Sequence, residues 1–276
     1  MHAVALQGVP QTLLLPLMAR AWLSQQKVAK FTDQRAIDLA AKLDYNFAGL
    51  AKTYGTLRCL WWLGRAYQCD QFIKPYLVKH PKTVVIDLGC GLETSFYRVD
   101  NGELTWVDID LPEVISLKER LLPKPDRVHY LGQSIFDYSW IEYVKTLGDN
   151  FIFISAGVLI YFDNDTVQSL LKQIDKSFPN SAIIFDFLSS RRRKVANWTL
   201  AKAKMSNAKI TWSIDSKEHL LDLLPQNATV ETLHHFKNMM SLLNISLWQK
   251  LHLWLYRRFY NSGMAIVKFC GNAATR

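Results

Sequence analysis

The chain is poor in cysteine, and the little it has is scattered. Cys59, Cys69, Cys90 and Cys270 form no C-x-x-C pair and no regular spacing. That excludes a disulfide framework and a cysteine-built zinc site, and fits reduced packing residues in a cytoplasmic protein. No apolar run approaches the roughly 18 residues that a bilayer demands, so no membrane span is expected. The opening run TLLLPLM lacks the basic flank and small-residue cleavage site of a signal peptide, so export is not expected either. Asp163, Asp165 and Asp175 have no His or Cys companion at ligand spacing, and no metal site is expected. Internal repeats and low-complexity stretches are absent.

What remains is an ordinary globular composition. The 276 residues are 49% hydrophobic and 21% charged, enough for one large α/β domain with a helical addition. The net charge of +9 is unevenly placed: residues 188–276 hold 14 Lys or Arg against 4 Asp or Glu. Such a basic third fits either an anionic partner or a solvated surface.

The most informative stretch is 84–94, VVIDLGCGLET. Val84, Val85, Ile86 and Leu88 straddle Asp87 and run into Gly89 and Gly91, the pattern of a strand that ends in a glycine turn. Glycine lets backbone approach a ligand, and the helix that follows offers unpaired N–H groups. A second apolar run, LTWVDID, puts Asp108 and Asp110 each 19 residues beyond one of the glycines. A carboxylate at the tip of the next strand suits ribose hydroxyls. A dinucleotide fingerprint would need a third glycine, but the stretch continues Leu92, Glu93, Thr94, and a Glu there repels a diphosphate. An S-adenosylmethionine site, with no phosphate to hold, fits better; a glycine turn that merely joins strand to helix stays open.

Along the chain, residues 11–80 read as helices, with Asp33 as a helix cap, and form an N-terminal helical cap over 1–80. From 81 to 276 strands and helices alternate, with strands at 83–88, 104–109, 127–131, 151–156, 181–187, 228–233 and 263–269 and helices at 112–121, 138–147, 164–177 and 216–224. That alternation predicts a Rossmann-like, mostly parallel sheet covered on both faces, with an antiparallel pair at the end. Ligands in such sheets bind beyond the carboxyl ends of the strands, which here carry Gly89, Asp108, Asp110, Ser134, Ser155 and Asp186. The basic stretch 190–215 is long for a connection and reads as a substrate lid or a solvated helix. Residues 241–260, SLLNISLWQKLHLWLYRRFY, are apolar almost all round, which fits burial, a homodimer interface or an interfacial helix at a membrane. Of the adjacent His234 and His235, alternation turns only one inward.

QTLLLPLMARA, FTDQRAIDLAAKLDYNF, RAYQCDQFIKPYL, VVIDLGCGLETSFYRV, WVDIDLPEVISLKERLL and GVLIYF, in this order over about residues 11–190, resemble the leucine carboxyl methyltransferase family. The likeness is strongest to its tetracenomycin-type polyketide O-methyltransferases. The resemblance implies a class I S-adenosylmethionine-dependent methyltransferase fold, with S-adenosyl-L-methionine as cofactor and S-adenosyl-L-homocysteine as product. Arg65 matches the arginine that pairs with the cofactor's carboxylate, a contact suited to its planar fork. Arg20 matches a basic position near the same site. Asp87, Gly89 and Gly91 match the cofactor loop and Asp110 the ribose acid, with Asp108 beside it. Ser134 and Ile135 fall at the adenine position, where relatives often have Asp and Leu, and Ser155 ends the fourth strand. Glu93 replaces the usual loop Asp. Ala156 stands where many members carry Glu, which argues against methylation of a protein C-terminus.

Methyl transfer from a sulfonium is an in-line displacement that needs alignment more than acid–base help. A carboxylate acceptor needs no base, whereas a phenol gains from one, for which Asp186 or one of His234 and His235 is available, with Tyr161 lining the site. The expectation is an O-methyltransferase for a small, acidic molecule of secondary metabolism. The rivals are protein carboxyl methylation and a non-catalytic cofactor-binding module. Nucleic-acid methylation is not expected, because SAGV (155–158) is unlike the polar-Pro-Pro-aromatic tetrapeptide of base-amine methyltransferases.

Overall fold

The structure, a computed structural model, describes residues 9–202, 205, 207–259 and 262–271, without the side chains of 9, 10 and 256–259. Three helices lead: α1 Leu14–Gln25, α2 Gln34–Lys42 and α3 Phe47–Lys79. Asp33 caps α2, its carboxylate accepting the Ala36 N–H at 2.9 Å, as the sequence predicts. Apolar residues line α1 on every side because α2 and α3 enclose it. At Gly55, φ +71°, α3 breaks into two segments, so its second part can cross beneath the sheet.

The alternating portion follows as β1 Val84–Leu88, α4 Ser95–Val99, β2 Thr105–Asp110, α5 Pro112–Leu121, β3 Val128–Gly132, α6 Trp140–Lys145, β4 Phe151–Ser155, α7 Asn164–Ser177, β5 Ala182–Phe187, α8 Ser190–Lys202, α9 Lys217–Asp222, β6 Thr229–Leu233, α10 Leu247–Phe259 and β7 Gly263–Lys268. The sheet order is β3-β2-β1-β4-β5-β7-β6. Strands β1 to β5 run parallel, and β7 is antiparallel to both β5 and β6. The predicted antiparallel pair is present, with β7 inserted between β5 and the edge strand β6.

Strand alternation divides the core. Val84, Ile86, Leu88, Val107, Phe153 and Phe185 pack on one face with α1, α7 and the first part of α3. Val85, Trp106, Ile152, Ile154 and Ile184 pack on the other with Cys69, Ile73 and Leu77 from the second part of α3. Because β1 and β4 are neighbours while the chain leaves β1 toward β2, strand order reverses between them, where a crevice opens beyond the carboxyl ends.

Two sequence expectations meet the fold here. The 190–215 stretch is no detached helix, since Leu200, Ile210, Trp212 and Ile214 enter the core and Asn197 exchanges two hydrogen bonds with the Ile210 backbone; residues 203, 204 and 206 lie outside the described residues. The burial expected of the aromatic helix is not found. Leu253 of α10 is buried, but Leu247 is 82% exposed, Trp248 80% and Trp254 56%. Composition gives apolar content without saying what covers it. Tyr260 and the side chains of Tyr256 and Phe259 lie outside the described residues.

Candidate active site

The turn after β1 is built as its glycines require. Gly89 has φ +76°, and a Cβ there would lie 2.4 Å from Val158 Cγ2, a stiff β-branched partner. The loop is closed against β2, where Asp110 accepts the Gly91 N–H at 2.7 Å and the Leu111 N–H at 2.7 Å. Around this turn lies a cavity of about 410 Å3. Its walls run from Asp110, Leu111 and Ile135 on the β2–β3 side, past Asp87 and Gly89, to Arg65 and Gly157 on the β4–β5 side.

Three acids meet this region in three different states. Asp110 lies at the cavity wall; burial raises its pKa against the pull of the two N–H donors. Asp87 is 2% exposed, and its Oδ2 has no hydrogen-bond partner among the described residues. Burial, and then Asp108 directly across in strand register, push its pKa well up. Such a carboxyl stays ionised only if a cation or donor comes to it. Asp108, on the same face, is set back from the cavity and does not line it; it is held by Lys118 Nζ at 2.6 Å and by the Trp106 indole N–H at 2.8 Å. Its placement on the ribose is therefore not what the geometry provides.

Behind the loop stands an ionic cluster that the sequence did not reveal. Arg20, only 2% exposed, spends all three guanidinium nitrogens on protein: Nε on Asp33 at 3.0 Å, Nη1 on Glu93 at 2.8 Å and Nη2 on the Leu92 carbonyl at 2.9 Å. Arg98 joins Asp33 at 2.6 Å, Asp70 at 2.8 Å and Glu93 at 3.0 Å, and Thr94 donates to Asp33 at 2.6 Å. Burial raises the Glu93 carboxyl, but Arg20 and Arg98 overcome it and hold its pKa at about 2. Arg20 thus borders the cavity as a brace for the loop carrying Glu93.

At the other end, Arg65 Nη1 lies 3.3 Å from Asp186 Oδ2, while Asp186 Oδ1 accepts the Gly157 N–H at 2.6 Å. Gly157 has φ +82°, and a Cβ there would fall 2.3 Å from Arg65 Nη1. Both oxygens of Asp186 are engaged, so it is better placed to orient Arg65 than to take a proton. Tyr161 donates to Thr12 Oγ1 at 3.2 Å, and burial raises its pKa. Ser134 and Ile135 both line the cavity; Ile135 is buried, while Ser134 is exposed and its Oγ accepts the Phe136 N–H at 3.2 Å. Ser155 is fully buried and donates to the Leu88 carbonyl at 3.3 Å, off the cavity. Phe136 and Phe162, in edge contact at 4.6 Å, were not singled out in the sequence, and both line the cavity.

A second cavity of about 120 Å3 adjoins the first and shares Thr12, Pro16, Arg65, Gly157 and Tyr161 with it. Its remaining walls include Tyr54, Trp61 and Trp62 of α3, Arg192 and Leu200 of α8, and His235. His235 packs edge-on to Trp61 at 4.9 Å. Burial, then Arg65, His234 and Arg192, lower its pKa to about 3, so the ring is neutral.

A seven-stranded sheet in this order, with its penultimate strand antiparallel and a glycine-turn cavity at the reversal point, defines the class I S-adenosylmethionine-dependent methyltransferase fold. A candidate methyltransferase from Thermobifida fusca YX shares it, at a TM-score of 0.55 and 16% identity over 91% of this chain and 94% of that one. A sequence model of the leucine carboxyl methyltransferase family matches residues 13–175, and the chain belongs to that family of methyltransferases. The tetracenomycin polyketide synthesis O-methyltransferase TcmP of Streptomyces glaucescens is 29% identical over 231 residues, covering 81% of this chain and 82% of the relative. The S-adenosyl-L-methionine-dependent methyltransferase dpfgK of Gibberella zeae is 27% identical over 241 residues, covering 80% of each.

Proposed function

We propose that the chain binds S-adenosylmethionine in the larger cavity and methylates an oxygen of a small, acidic aromatic molecule seated in the smaller one, in secondary metabolism and in the cytoplasm. The observation that carries this reading is the pairing of the two cavities across a common wall of Arg65, Gly157 and Tyr161. The larger one suits the cofactor. Asp110 keeps lone pairs for a ribose diol, Ile135 and Leu111 offer apolar surface to an adenine, and Arg65 supplies a forked cation for a carboxylate. The unpartnered Asp87 oxygen asks for a positive group, and this cofactor carries an ammonium and a sulfonium. When bound, it supplies a methyl group on sulfur with a neutral thioether as leaving group.

The chain's own contribution is placement. Asp186 and the close approach at Gly157 fix Arg65, and α8 with the Trp61 and Trp62 rings walls the smaller cavity in which the acceptor is aligned. The smaller cavity holds Arg58, Arg65 and Arg192 against one acid, Asp186, so it favours the acceptor as its anion. An acceptor that enters as carboxylate or phenolate needs no base, which agrees with the engagement of both Asp186 oxygens. Ala156 on the wall of the larger cavity and the aromatic lining of the smaller one speak against a protein C-terminus as acceptor.

The test is incubation with S-adenosylmethionine and a panel of benzoic acids and phenols, read by mass spectrometry. The expected result is a mass gain of one methylene on the acceptor, with alkali lability separating ester from ether. Cofactor binding with no panel member methylated would favour the non-catalytic module.

A further inference from the structure

Five of the ten large apolar side chains that are exposed among the described residues lie on α10. Leu247, Trp248 and Trp254 are more than half exposed, Leu251 is 44% exposed and Leu255 39%. At about 100° per residue these five positions fall within an arc of roughly 120°. Leu253, 2% exposed, points the opposite way and anchors the helix to the core. Lys250 and His252 lie on the two flanks of the stripe. An apolar stripe this wide, carrying two tryptophans, is what a soluble surface ordinarily avoids.

The charge around it decides between occupants. From Thr232 to Arg276 the sequence carries six Lys or Arg and no Asp or Glu, with Lys237 paired at 2.9 Å to Glu231 just before it. In a two-fold dimer built on α10, each basic segment would face its own copy, with no carboxylate from that segment to neutralise it. An anionic lipid surface answers both features, because it attracts a segment with this excess of basic charge, Lys250 flanking the stripe, while Trp and Leu side chains enter the acyl boundary. Among the described residues no helix is long and apolar enough to cross a membrane, so the contact is peripheral. We infer that α10 docks this protein on an anionic phospholipid surface, its Trp248–Trp254 stripe lying in the headgroup plane. The inference is independent of the cofactor reading.

The test is flotation of the full chain with vesicles of phosphatidylcholine alone and of phosphatidylcholine with about a third phosphatidylglycerol. The chain should float with the anionic vesicles and much less with the neutral ones. The double variant Trp248→Ser, Trp254→Ser keeps the net charge, so attraction of a +9 chain to anionic lipid persists in it. It should lose at least tenfold in vesicle affinity, with Tm and S-adenosylhomocysteine binding unchanged because both side chains are exposed. Vesicle binding equal in variant and wild type would overturn the inference, as would no binding to anionic vesicles. So would a lipid-free dimer that the double variant converts to monomer.

Discussion

Adding one methyl group at Gly157 tests the proposed geometry of the Arg65 end of the site. Alanine at φ +82° costs about 1–2 kcal/mol of backbone strain. For a chain of this size that lowers Tm by roughly 2–8 °C. Its Cβ would sit 2.3 Å from Arg65 Nη1 and 2.8 Å from Cζ, so the guanidinium must leave its seat beside Asp186. If Arg65 holds the cofactor's carboxylate, the displacement forfeits a charge-assisted contact of about 1.5–3 kcal/mol, or about 10- to 150-fold in the Kd of S-adenosylhomocysteine. Calorimetry and thermal melts on Gly157→Ala, Arg65→Ala and the double variant separate the two costs. With Arg65 already removed, Gly157→Ala should still lower Tm and should no longer lower affinity. Wild-type affinity in Gly157→Ala, or an equal loss with and without Arg65, would refute the reasoning.

Three further outcomes follow from the buried charges. Arg98→Ala leaves Asp33 and Glu93 with Arg20 and removes the arginine that pairs with Asp70, and should cost about 3–5 kcal/mol of unfolding free energy, read by urea titration. Glu93 has a folded pKa of about 2 against an ordinary 4.5, so its stabilisation, on the order of 3 kcal/mol, is present above about pH 4.5 and lost as pH falls through about 2. A Glu93→Gln variant should show a flatter fall in Tm between about pH 5 and pH 3. His235 is neutral when folded, with a pKa of about 3 against 6.5 unfolded, so acidification favours the unfolded chain. Lowering the pH from about 7.5 to about 5.5 should remove about 1.4 kcal/mol, a loss absent in His235→Leu.

Much of this was legible in the sequence because it is local. The strand, glycine turn and acid 19 residues on form one β-α-β unit, and Gly89, Gly91 and Asp110 stand together as that unit requires. Parity of a single residue defeated Ser155: β4 sends Ile154 toward the cavity and Ser155 to the other face. Asp108 shares the parity of Asp110 but lies two residues further from the strand tip, where Lys118 of α5 reaches it. The ionic cluster draws on α1, α3, α4 and two loops, with Arg20 and Glu93 separated by 73 positions, and no spacing announces such a meeting. The second cavity depends likewise on α3, α8 and His235 coming together. The aromatic helix α10 carried a strong apolar signal, and only the fold distinguishes an apolar face that is covered from one that is not.

The central claim is that the larger cavity holds S-adenosylmethionine, and calorimetric titration of the wild-type chain with S-adenosylhomocysteine tests it most directly. Arg65 and Asp110 stand at opposite ends of the cavity. The account predicts micromolar binding that weakens about tenfold or more in Arg65→Ala and again in Asp110→Ala. A folded wild-type chain that gives no heat with this ligand, or binding indifferent to both substitutions, would contradict it.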